Sequence, residues 1–140
     1  MPRRIIPDVI REQQVVSLEG QATARQAAML MREHNVGAVP IVEDGALEGI
    51  LTVNDMSYRV IAEGRDPDKT CVKEVMTPDP DTVSPDTTAI DALRLMQDGG
   101  YRHLPVVDGG RVLGLVSRRD FYGVEKSRLD DETALWERIA

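Results

Sequence analysis

The sequence predicts an α/β (α+β) protein in which one strand–helix–strand–strand–helix unit is written twice and folded into a pseudo-symmetric body. Three observations carry this. Pro105 to Asp120, PVVDGGRVLGLVSRRD, repeats Pro40 to Asp55, PIVEDGALEGILTVND, at an offset of 65 residues without a gap. The same register upstream matches Thr23 with Thr88, Ala24 with Ala89, Ala27 with Ala92, Leu30 with Leu95 and Met31 with Met96. Such self-similarity marks a repeat architecture. Each copy, of about 55 residues, would bury too little surface to stand alone, so the two copies in this chain of 140 residues are expected to share a core.

Residues 1–7 read as an N-terminal arm. Asp8-Val9-Ile10 resembles Glu74-Val75-Met76 at an offset of 66, one residue out of step, and this short element is expected to open each repeat. Val16-Ser17-Leu18 and Thr82-Val83 are short extended pieces leading into the first helices. Thr23 to Gln26 has the capping-box form, and Thr88 to Asp91 is its shorter-armed equivalent. Ala24, Ala27, Ala28 and Met31, and again Ala89, Ala92, Leu93 and Met96, fall at helical spacing and predict one buried face in each copy. Asn35 and Gly99-Gly100 are stop signals.

Two strands follow in each copy: Ala38–Val42 with Leu47–Thr52, and His103–Val107 with Val112–Ser117. Asp44-Gly45 and Gly109-Gly110 suit hairpin turns. Pro40 and Pro105 lack a backbone donor and are expected on an edge or at a strand start. A second helix is predicted from near Asn54, carrying Met56, Val60 and Ile61, and from near Arg119, carrying Phe121 and Val124. The repeats thus span 8–62 and 74–125, joined by a polar linker over 63–73. The tail, 126–140, reads as an amphipathic helix through Leu129, Trp136, Ile139 and Ala140. It either covers the domain's own apolar surface or makes a dimer or partner contact.

A net charge of −7 argues against nucleic acid as a partner, because a phosphate backbone needs basic surface. A small anion needs only a local cationic pocket. No run approaches the roughly 18 apolar residues of a membrane span, and the start MPRRIIPDVI lacks a signal-peptide core. Cys71 is the one cysteine and suits a reducing cytoplasm.

The order of elements, each copy ending in Gly-apolar-apolar-Ser/Thr-x-x-Asp, resembles a tandem pair of cystathionine β-synthase (CBS) domains, or Bateman module. The residues that carry the likeness are Gly49-Ile-Leu-Thr-Val-Asn-Asp55 and Gly114-Leu-Val-Ser-Arg-Arg-Asp120. Ala38–Val42, His103–Val107 and Glu74-Val-Met-Thr-Pro78 support it. The resemblance covers roughly residues 8–125 and implies two βαββα repeats related by a pseudo-twofold axis, with their sheets packed together. It further implies adenosine-containing ligands in clefts between the repeats, disc-shaped homodimers and a regulatory role. With no enzyme or transporter domain in the sequence, a stand-alone module is expected.

The Ser/Thr-x-x-Asp motif has a purely local reading, in which Thr52 or Ser117 caps the following helix and Asp55 or Asp120 lies in its first turn. Ligand binding uses the same geometry, since an Asp there can accept two hydrogen bonds from a ribose diol and helix-start amides can meet a phosphate. The resemblance assigns Asp55 and Asp120 to the ribose, with Thr52 and Ser117 close by. It places Ser17 and Thr82, more loosely, near the base, with Gly37 and Ala38 at the strand edge. The copies then diverge. The second has Arg102-His103 before the strand proline and Arg118-Arg119 inside the motif, where the first has Gly37-Ala38 and Val53-Asn54. Arginine suits phosphate through its planar donor fork. Two arginines at a helix start oppose the macrodipole, which an anion beside them would explain. The Asp120 site is therefore the better candidate.

No spacing suggests a metal site, and no nucleophile stands beside a base. The expectation is a non-enzymatic sensor needing no cofactor. An adenine nucleotide (AMP, ADP or ATP) is its regulatory ligand, it forms a homodimer, and an unidentified protein partner reads its state. Two alternatives stay open: a dimerising scaffold with empty clefts, and a sensor of NAD(H) or S-adenosylmethionine.

Overall fold

The computed structural model describes residues 3–10 and 15–121. These gather into two compact units. One holds residues 15–81 with 109–112, the other residues 3–10, 82–108 and 113–121. The predicted tail with Trp136, and Val124 of the second helix, lie outside the described residues; Phe121, expected in that helix, is extended after the turn that ends at Asp120.

The unit built on the first copy runs β1 (Leu18–Glu19), α1 (Ala24–His34), β2 (Ala38–Glu43) and β3 (Ala46–Thr52). A short α2 (Val53–Asp55) continues into a π-helical stretch, Met56–Ile61, and α3 (Val72–Val75) and β4 (Thr77–Pro78) complete it. β1 pairs parallel to β2, β2 antiparallel to β3, and β3 antiparallel to β4. The unit built on the second copy has a π turn, Ile5–Val9, followed by α4 (Ala89–Gly99), the hairpin strands β5 (His103–Asp108) and β6 (Arg111–Ser117), and a 3₁₀ turn, Arg118–Asp120.

Local chemistry accounts for most of these boundaries. The Thr23 hydroxyl accepts from the Gln26 amide and the Gln26 side chain accepts from the Thr23 amide, a complete capping box at α1. At α4 the Thr88 hydroxyl accepts from the Asp91 amide at 3.3 Å. Asn35 and Gly100 take the left-handed conformation that closes each helix, as expected of such caps. Both two-residue hairpin turns have positive φ at each position, 51° and 81° at Asp44-Gly45 and 59° and 82° at Gly109-Gly110. That backbone matches the strand twist.

Besides a core divided into two clusters, one in each unit, where one shared core was expected, three expectations need correction. Ala28 is exposed, whereas Ala24, Ala27 and Met31 are buried. The small Ala28 side chain gains little from burial, and the longer Leu30 packs on the core in its place. Pro40 is the third residue of β2, an internal strand, so it is at neither an edge nor a strand start; Pro105 is the third residue of β5, which is an edge strand as expected. Beside Pro105, Val83 donates to its carbonyl at 3.0 Å and accepts from the Val107 amide at 2.8 Å. The parallel bridge steps over the missing proline N–H, so the ladder loses nothing.

The third correction concerns the segments that lead into each repeat. Each docks on the other repeat, not on the one it precedes. The Val72 amide donates to the Ala22 carbonyl at 2.8 Å, and the Ile5 amide to the Thr87 carbonyl at 2.9 Å. In return the first helical amides, Ala24 and Ala89, donate to the Thr70 and Arg3 carbonyls at 2.8 and 2.7 Å. First-turn amides have no partner within their own helix, and here the visiting segment supplies one. Ile5 is fully buried beside Leu93 and Val106, and Val72 beside Ala27 and Val39. Residues 3–7 are thus a docked element, and residues 70–73 are built into the fold. The two entry segments also differ in their turns. Ile10 donates to Ile5, five residues back, where Met76 donates to Val72, four back. The N-terminal segment thus holds one more residue in its turn, which is π-helical.

Candidate functional site

In both copies the hairpin delivers the Ser/Thr-x-x-Asp motif to the same place. Ala38 is the register partner of Thr52. The Val53 amide donates to the Gly37 carbonyl at 3.1 Å, and in the second copy Arg118 donates to Arg102 at 2.8 Å. The residues before the strand proline are therefore fixed beside the motif. Leu18 lies opposite Ile41 and Val83 opposite Val106. Ser17 and Thr82 are thus level with Pro40 and Pro105, two residues along from Ala38 and His103, and both are exposed.

The first motif is closed on itself. Asp55 is 8% exposed. One carboxylate oxygen accepts from the Thr52 amide at 2.9 Å, and the Thr52 hydroxyl accepts from the Asp55 amide at 3.2 Å. The Thr77 hydroxyl donates to the other oxygen at 3.2 Å, and Arg59 Nε stands 3.9 Å from it. Arg59 Nη1 also donates to the Met76 carbonyl at 2.8 Å. β4 reaches this position because β3 carries Gly49, where a Cβ would stand 2.7 Å from the Thr77 carbonyl oxygen. Asp55 thus anchors the segment leading to the second copy.

The second motif is built differently. The Ser117 amide donates to Asp120 at 2.7 Å, so half of the reciprocal cap is present. The Ser117 hydroxyl is buried and has no hydrogen-bond partner. Buried polar atoms are nearly always paired, and an orphan costs about 1–3 kcal/mol. Asp120 is more open than Asp55, and Arg118 is partly and Arg102 and Arg119 largely exposed. His103 lies in their field. Burial and the Arg119 guanidinium hold its imidazole below the ordinary range, Arg102 adds to this, and Asp120 opposes it. Arg102, Arg119 and Asp120 thus act on the His103 imidazole, Arg118 sits in the same turn, and the Ser117 hydroxyl is unpaired.

The CBS-domain family profile matches residues 8–61 and 72–125. The chain is 41% identical over 107 residues to the CBS domain-containing protein YhcV of Bacillus subtilis, covering 76% of each. This chain belongs to the CBS-domain family. It carries two CBS domains in tandem, and such pairs are generally regulatory, nucleotide-binding modules. Among solved structures it resembles the CBS-domain protein ATU1752 of Agrobacterium tumefaciens, with 29% identity, a TM-score of 0.73 and coverage of 83% and 90% of the two chains. It also resembles a hexameric CBS-CP12 protein of bloom-forming cyanobacteria at 30% identity and a TM-score of 0.73, covering 80% of this chain and 62% of that one.

The sequence reading missed Thr77 and Arg59. A signal for Arg59 was present, since an acid four residues before a base is a favourable helical pair. Thr77 lay in the quoted Glu74–Pro78 segment, but nothing local tied it to Asp55. No described helix is long and apolar enough to cross a membrane.

Proposed function

We propose that this tandem CBS pair is a regulatory module without catalytic activity of its own. It binds an adenosine-containing ligand, with AMP, ADP or ATP preferred, at the Asp120 motif, and signals to a protein partner through a change in conformation. The observation that carries this reading is the buried, unpartnered Ser117 hydroxyl beside Asp120. A ribose hydroxyl would pair with both groups, and Arg102, Arg118, Arg119 and His103 would meet the phosphates. A ligand shifts a conformational equilibrium only through its differential affinity for the two states.

A second reading, self-association as a homodimer, draws on apolar side chains left in water: Met29 on α1, and Val53, Tyr58 and Ile61 on the second helix, the last 75% exposed. The two readings are compatible.

The test is thermal unfolding with AMP, ADP, ATP, NAD and S-adenosylmethionine at matched ionic strength. Ligand at 100 times its dissociation constant adds about 2.7 kcal/mol, or several degrees for a domain of this size. A selective shift supports the sensor and names its ligand class. No shift with any of them, in protein shown to be ligand-free, favours the scaffold.

A further inference from the structure

The basic cluster of the second copy contains one titratable imidazole, His103. His103 opens β5 two residues before Pro105, in the strand position where the first copy has Ala38. This partly buried residue stands opposite Ser117 across the hairpin, by the register that joins the Arg118 amide to the Arg102 carbonyl at 2.8 Å. The charged groups acting on it come from both elements that flank it. Arg102 precedes it on its own strand, and Arg119 and Asp120 face it from the turn after β6. Two cations and one anion leave a surplus of positive field on the ring, and that field disfavours a further proton.

We propose that binding of a phosphate-bearing ligand at this cluster is coupled to uptake of one proton on His103. The inference rests on the functional reading above and adds a regulatory property to it. In the free protein, burial and Arg119 disfavour the protonated imidazole. A phosphate placed among Arg102, Arg118 and Arg119 reverses the local field, because it brings about 1.5 to 2 negative charges and strong acceptor oxygens. An opposite charge within a few ångströms favours the protonated ring. By linkage, ligand and proton then help each other to bind. Affinity is lowest above the titration range of the bound protein, rises as pH falls through it, and levels off below that of the free protein. The module would thus bind its ligand more tightly in a mildly acidic cell than in an alkaline one.

The first motif provides the internal contrast. It has Ala38 in place of His103 and Val53-Asn54 in place of Arg118-Arg119, so no such coupling arises there.

The chain has two histidines, so their ring-proton resonances can be followed directly by NMR. The exposed His34 is identified through His34→Gln. The His103 resonance is titrated between pH 5 and pH 9 in the intact chain, with and without saturating AMP. The expected result is an upward displacement of its midpoint by about one pH unit on AMP binding, equivalent to about tenfold tighter binding by the protonated form. His103→Gln, which keeps a polar side chain but cannot titrate, should have a shallower pH dependence of AMP affinity than the parent. AMP-induced changes elsewhere with an unmoved His103 midpoint would overturn the coupling alone. So would a His103→Gln protein that keeps the parental pH dependence. No AMP-induced change at any resonance would overturn the reading of the site, and the coupling with it.

Discussion

Asp55 and Asp120 end the same motif, follow the same hairpin and accept from the same amide three residues back. They differ in what else reaches them. Asp55 is buried against Thr77 and within ion-pair reach of Arg59, and its Thr52 hydroxyl is used in the cap. Asp120 stands among cations, and its Ser117 hydroxyl has no partner. A duplicated site has thus two fates in one chain. Where neighbouring residues satisfy the carboxylate, it becomes a structural joint. Where they leave polar atoms unmet and gather positive charge, the motif is the one we propose to take an anionic ligand. The divergence is written in few positions: in the 65-residue register Arg59 answers to Val124, and Val53-Asn54 to Arg118-Arg119.

The sharpest way to break this comparison is to remove each carboxylate in turn. Asp120→Ala should weaken AMP binding about ten- to a hundredfold, the value of hydrogen bonds to a charged group, with about 1 kcal/mol lost from urea-measured stability, as for a partly exposed cap. Asp55→Ala should do the reverse. It leaves the Thr77 hydroxyl and Thr52 amide unpaired in a buried place, and stability should fall by about 2–3 kcal/mol. Equal losses of fold and binding in both variants would mean that the two motifs have not diverged.

Thr77→Val tests the joint more gently. It keeps the shape and removes the donor to Asp55, which should cost about 1 kcal/mol and raise amide exchange over residues 72–78 before the rest of the chain. Unchanged exchange there would show that Thr77 does not hold the segment.

The first-copy fold was largely legible because its signals are local. The capping box at Thr23, the turn at Asp44-Gly45 and the stop at Asn35 each depend on residues within one turn of each other, and each appears as the sequence predicts. Pairs distant in sequence were not legible. Nothing in Ile5 announces that it docks against Leu93, nor in Thr77 that it donates to Asp55. Periodicity tells which face of a helix is buried but not which segment covers it. Ala28 shows a further limit, because alanine fits a buried or an exposed position with little difference in energy. At the candidate site, the residue types at Arg102, His103, Arg118 and Arg119 gave the charge. The unpaired Ser117 hydroxyl needed coordinates.

The smallest expected effect is on pH dependence of stability without ligand. His103 is held below its ordinary range in the folded protein. The unfolded chain therefore binds a proton more readily, and stability should be full above about pH 6.5, the free imidazole value. It should decline as pH falls from there through the folded-state value. His103→Gln should remove that decline in chemical unfolding midpoints measured between pH 8 and pH 5. A decline of the same size in His103→Gln would assign it to other groups.

The division of labour between the two motifs is tested most directly by the stoichiometry of AMP binding to the intact chain, measured by titration calorimetry at a protein concentration well above the dissociation constant. One AMP per chain is expected, with its dissociation constant raised about ten- to a hundredfold in Asp120→Ala. Two per chain, or one whose affinity Asp120→Ala leaves unchanged, would show that the Asp55 motif binds ligand and would contradict this division.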